Sequence, residues 1–272
     1  MTNIVSQIIS LVGYGNDYLY NGTLPVDFYP EHPAFQFCKK VDFIDLKGNA
    51  TPLSSQNETV AENPLEWMIY LKYKGCKNLR LYFQYSGDEN FPDYKSAGMV
   101  GGGGYWRIEA NYGSNCDIWA SRWEVNSKDD SGKNIWSVTY GLLAKDQQPT
   151  NLHCDLSIIK NVTKKRLSAI SNFAAKQQLK NWHQIFENAL AVLENPESAD
   201  SDFLHLMIPK EKYSLLARQI MFTAYAAWVF GGIGSWNDLF FKDGNTQDCY
   251  EQLSYNLYDN ICVNIIASLN SY

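Results

Sequence analysis

A chain of 272 residues with 45% hydrophobic, 14% aromatic and 19% charged residues has enough apolar matter for a core and too little charge to stay disordered. Its 23 Lys and Arg against 29 Asp and Glu, a net charge of -6, argue against nucleic-acid binding through a generally basic surface. The longest apolar run, residues 221–230, is 10 residues long and well short of the roughly 18 that span a bilayer, so no membrane partner is expected.

The spacing of Ile4, Ile8, Leu11 and Val12 predicts a short amphipathic helix that Gly13 and Gly15 end. Pro25, Pro30 and Pro33 then mark a turn-rich connector up to Pro33. From Phe35 to Lys145 the pattern has period two, with six strands expected. These are Phe35 to Leu46, Leu65 to Lys74 (Trp67, Ile69, Leu71 and Tyr73 on one face), Leu79 to Tyr85, Trp106 to Tyr112, Trp119 to Val125, and Trp136 to Leu142. Short linkers between the later strands predict antiparallel pairing. Past Gln147 the period becomes 3.6, giving one long helix over Thr163 to Glu194, an all-round apolar helix over Tyr213 to Phe230 capped by Gly231-Gly232, and a last helix over Thr246 to Leu269. Strands first and helices after predict a single α+β domain: an N-terminal antiparallel β-meander of about six strands (residues 1–150) packed with a C-terminal group of three main helices (residues 151–272).

Six widely spaced cysteines without a CxxC read as reduced thiols, several of them buried. With no basic n-region or unbroken apolar stretch after Met1, the expected compartment is the cytoplasm. No metal or cofactor is expected, because His32, His153, His183 and His205 are scattered and no ligand spacing recurs. The run Gly101 to Gly104 could cradle a phosphate, but no Lys-Ser/Thr follows it and it enters a strand instead of a helix. Gly234-Ser-Trp-Asn-Asp238 is not a GxSxG elbow, so no catalytic residue is assigned.

The most distinctive segment is Ala226-Ala-Trp-Val-Phe-Gly-Gly-Ile-Gly-Ser-Trp-Asn-Asp238, whose physical reading is a helix stop and a turn with Trp236 packed back on the helix. Its WVFGGIGSWND stretch resembles the C-terminal part of uncharacterised bacterial proteins that look like immunity partners of secreted or contact-dependent toxins. That resemblance implies a non-enzymatic inhibitor that binds a cognate toxin tightly in the cytoplasm; it transfers no functional residues. Residues 1–155 carry 13 basic and 18 acidic side chains, so an acidic docking edge for a basic protein partner is expected in the sheet half. Its candidate residues are Asp88, Glu89, Asp93, Tyr94, Tyr105 and Trp106. Two other readings compete: a hydrolase with dispersed residues such as Glu109, Glu124 or His153 in a cleft between sheet and helices, and a subunit that assembles through the 163–194 helix.

Overall fold

The computed structural model describes residues 1–46, 57–88, 90–126, 135–150, 153–197 and 207–272. Helix α1 (Asn3–Asn21) precedes β1 (Cys38–Asp45), β2 (Glu58–Ala61), α2 (Pro64–Tyr73), β3 (Asn78–Gln84), the single turn α3 (Asp93–Ser96), β4 (Tyr105–Asn111), β5 (Cys116–Val125) and β6 (Trp136–Gln147). Four longer helices follow: α4 (Leu156–Lys176), α5 (Lys180–Glu194), α6 (Leu215–Ala226) and α7 (Gly244–Leu269). The architecture is α+β, with six strands in the order β2-β1-β6-β5-β4-β3.

The sheet is mixed, not the expected meander. Strands β3 to β6 do pair antiparallel in sequence order, but β1 joins β6 in parallel, Phe43 beside Tyr140. Parallel pairing needs a long crossover, and the residues between β1 and β6 supply it by containing the other four strands. The strand count of six is matched by a different set. Residues 65–74 form helix α2, and the sixth strand is β2, which the period-two pattern does not mark.

Local chemistry explains the correction. Asn63 accepts a hydrogen bond from the Glu66 backbone N–H at 3.0 Å, Pro64 occupies the first turn, and Glu66 returns a bond to Glu62 N–H at 2.9 Å. This cap and N-terminal proline outweigh an alternation only four residues deep. In the helix Trp67, Met68 and Leu71 are buried, while Ile69 and Tyr73 face solvent.

Glycine also misleads at α1, which runs through Gly13 and Gly15 and stops at Gly22, whose left-handed φ of 79° ends it. A Cβ on Gly15 would lie 2.5 Å from Leu79 Cδ1, so the residue is there to let the helix lie close on β3. The predicted 163–194 helix is two helices, α4 and α5, broken at Gln178 with φ 60° and no Gly or Pro to announce it. Helix α6 ends at Ala226, before the Gly231-Gly232 pair expected to cap it.

Helices cover one face of the sheet. There Phe43 stacks on Trp67 at 4.5 Å and on Tyr140 at 5.1 Å, and Trp67 meets Trp119 edge-on at 5.7 Å. The core continues without a break into the α4–α7 packing around Trp236. Strand β3 is a sheet edge, and two asparagines seal it. Asn16 accepts from Leu79 N–H at 2.6 Å and donates to its carbonyl at 2.9 Å, while Asn270 does the same for Leu81 at 2.9 and 2.8 Å. Each side-chain amide replaces a neighbouring strand's peptide, removing the open edge that invites aggregation. All six cysteines are free, and burial pushes the Cys38, Cys76 and Cys116 thiols up to about 11, 12 and 11. No helix among the described residues is long and apolar enough to cross a membrane.

Candidate functional site

A split in the sheet builds the most site-like feature. The β4–β5 ladder runs from Asn111 beside Cys116 to Ile108 beside Trp119 and goes no further. Beyond it Tyr105 to Arg107 pair only with β3, while Ala120 to Val125 pair only with β6. Between the diverging strands lies a cleft of about 250 Å³, roofed by the Gly101 to Gly104 loop and closed behind by the first residues of α1.

Strand alternation sorts its lining. Trp106 shares the helix-covered face with Leu81-paired Ile108, and Trp123 shares it with its cross-strand neighbour Val138; Trp228 and Tyr258 complete an aromatic floor. Arg107 and Arg122 project to the opposite face on the two sides of the split. Their charges are not equivalent. Arg122 pairs with Glu124 at 2.9 Å, whereas Arg107 is half-buried over the Tyr105 ring at 5.1 Å and has no carboxylate partner among the described residues. Burial lowers the Arg107 pKa. The indole N–H of Trp123 is buried without an acceptor.

Two amides of the glycine loop serve the loop itself instead of facing an anion: Gly102 N–H donates to the Met99 carbonyl at 3.1 Å and Gly103 N–H to Ser96 Oγ at 2.8 Å. Tyr258 donates its hydroxyl to the Gly103 carbonyl at 2.5 Å. Gly104 has φ 77°, and a Cβ there would collide with the Phe83 ring.

The predicted docking residues are brought to this end of the sheet but are not alike in exposure. Tyr105 is exposed. Asp88 is exposed too, with its carboxylate turned inward to the Asn90 and Phe91 amides at 2.9 and 3.1 Å. Asp93, Tyr94 and Trp106 are buried: Asp93 accepts from Ser86 N–H at 3.0 Å, Tyr94 packs on Phe230 at 6.1 Å and Trp106 on Phe83 at 4.8 Å. Glu89 lies outside the described residues.

The candidate hydrolase residues do not converge. Glu109 is buried at the closed end of β4, opposite Ile118, and accepts from the Thr150 N–H at 2.9 Å and hydroxyl at 2.5 Å. Glu124 is six residues further along β5, about 20 Å at the usual strand rise. A glycosidase pair sits roughly 5 to 9.5 Å apart. His153 is exposed on the connector before α4.

A serine, histidine and carboxylate do meet elsewhere, unforeseen from their spacing. Ser171 donates to Glu187 at 2.5 Å, and His183 Nδ1 lies 2.8 Å from Ser171 Oγ and 3.2 Å from its carbonyl. In a hydrolytic triad the acid holds the imidazole's other nitrogen. Here both partners share one buried hydroxyl, which pins α4 to α5.

Residues 228–238 form a joint, not a pocket. Gly231 packs backbone to backbone on Gly98, and Asn237 donates to the Lys95 carbonyl at 3.2 Å, tying this segment to the loop beside the cleft. Trp236 packs on α5 and α7: it sits 5.1 Å from Phe186 and 5.4 Å from Tyr250, and donates to Ser254 at 2.8 Å. Among the described residues no three His, Cys, Asp or Glu side chains gather as a metal site. No family model, curated protein or solved structure matches the chain.

Proposed function

We propose that the protein is a non-enzymatic inhibitor of the immunity type, which neutralises a toxin by binding it through the strand-end face around the split. One observation carries this reading: exposed apolar side chains crowd that face beside half-buried tryptophans. Met99 and Val100 line a shallow cavity with Trp123 and Trp136, Val125 pairs with Trp136, and Ile135 and Tyr105 are exposed nearby. Exposed apolar groups mixed with Trp, Tyr and Arg are the composition of interface anchors. A cytoplasmic setting belongs to the same proposal. The acidic steering of a basic toxin narrows to Asp88 and Glu89, since Asp93 is buried.

The test compares the tagged wild-type chain with a Met99→Glu, Val100→Glu variant in the native cells. The wild type should retain a partner through a high-salt wash. That partner should be toxic when expressed alone and harmless beside the wild type. Protection should fall at least tenfold with the variant at unchanged melting temperature. Equal protection by the two chains, or a partner without toxicity, would refute the proposal.

A further inference from the structure

We propose that the cleft in the split sheet is a binding site for a small monocarboxylic acid with an apolar, ring-sized body. The inference is independent of the docking reading and rests on what the cleft offers.

Size comes first. A cavity of about 250 Å³ exceeds the ~150 Å³ that admits benzene in an apolar protein cavity, and it is smaller than most drug-sized pockets. It therefore takes one ring or a branched chain together with a small polar head. The walls decide the body. Val5, Ala97, Trp106, Trp123, Trp228 and Tyr258 are apolar or aromatic, and Tyr258 has its hydroxyl committed to Gly103, so an apolar group fits between them at no polar cost.

The mouth decides the head. Arg107 stands across the split from Arg122 with a guanidinium that no acidic side chain among the described residues neutralises, while Arg122 is already offset by Glu124. One uncompensated arginine matches one negative charge, and a planar guanidinium grips a carboxylate with two parallel hydrogen bonds. Trp123 gives the same lining an indole face against which the body can pack. Phosphate fits poorly: the Gly102 and Gly103 amides are occupied within the loop, leaving one cation for a dianion amid aromatic walls.

The split also explains why two strands separate within one sheet. Tyr105 to Arg107 and Ala120 to Arg122 forgo mutual ladder bonds, so the gap is lined by the glycine loop and the start of α1 instead of closing into three more cross-strand pairs.

The experiment is isothermal titration of the intact chain with phenylacetate and indole-3-acetate, using phenylacetamide and inorganic phosphate as controls. At least one acid should bind saturably with one-to-one stoichiometry and change the tryptophan fluorescence. The amide and phosphate should bind at least tenfold more weakly. Arg107→Met should weaken the acid at least tenfold at unchanged melting temperature, Arg107→Lys should restore part of it, and Trp123→Phe should weaken it a few-fold. The assignment is overturned if neither acid binds, if the amide or phosphate equals the acid, or if Arg107→Met binds as the wild type does.

Discussion

Strands β4 and β5 have two ends that behave in opposite ways. At the closed end, Ile108 to Asn111 pair with Cys116 to Trp119, Glu109 is buried under Thr150, and Asn16 and Asn270 satisfy the outer edge of β3. At the open end the same strands part and glycines replace side chains. The buried Glu109 carboxylate has Thr150 as its donor at the first end, whereas Arg107 meets no carboxylate among the described residues at the second. The contrast teaches where stability and recognition reside: substitutions at the closed end should lower the unfolding free energy, and a change of the cleft's Arg107 at the open end should alter binding while leaving folding nearly intact.

The sharpest break is Trp119→Ala. Trp119 is the last residue of β5 to pair with β4 and contacts both Trp67 and Phe43, so the lost transfer and the cavity together should cost about 3–5 kcal/mol in urea unfolding. Next comes the sealed edge. Asn16→Ala orphans the Leu79 N–H and carbonyl and should cost about 1–3 kcal/mol, with aggregation at high concentration as a second readout. Asn270→Ala should resemble it at Leu81. Gly104→Ala at the open end should cost about 1–2 kcal/mol from its left-handed φ, and more if Phe83 cannot move, with the larger change seen in the fluorescence of the cleft tryptophans. Arg107→Met, by contrast, should shift stability by no more than about 0.5 kcal/mol, which denaturation curves resolve from the others.

Strands β3, β4 and β6 and helix α7 were marked by apolar residues that recur at strand spacing (Leu79 and Leu81, Trp106 and Ile108, Val138 and Tyr140) or helix spacing (Tyr250, Leu257, Ile261 and Ile265) and are all buried. The parallel β1–β6 pair had no local signal, since it depends on two segments about 98 residues apart finding each other. Helix α2 was legible in principle: Asn63-Pro64 with Glu66 is a helix start, and four alternating apolar residues masked it. The break at Gln178 was not, because glutamine carries no preference for the left-handed region. At the site, Tyr105-Trp106-Arg107 and Arg122-Trp123 stand plainly in the chain, but the cleft between them arises where a ladder stops, and register is a tertiary property. The docking candidates failed to separate for the same reason: Asp93 and Asp88 look alike in sequence, and only packing puts one inside.

The smallest effect tests what holds the open end's loop in place. Lys95, in α3, reaches Glu251 on α7 at 3.0 Å, and hydrogen bonds from Gln247 and then Lys95 hold the Glu251 carboxyl below its usual range. A depressed folded pKa means that the contribution is present above the unfolded value, near 4.5, and is lost as pH falls through the lower folded value. Glu251 and Lys95 are both partly exposed, so solvent screening keeps the contribution below about 1 kcal/mol. The stability difference between wild type and Glu251→Gln should therefore be constant from pH 7 to about pH 5 and shrink toward zero below 4.5, whereas a pair with no role would give a flat difference near zero throughout. Because Asn237 also grips this turn through the Lys95 carbonyl, the loop should keep its place when the ion pair is lost, and acid binding by Glu251→Gln should match the wild type.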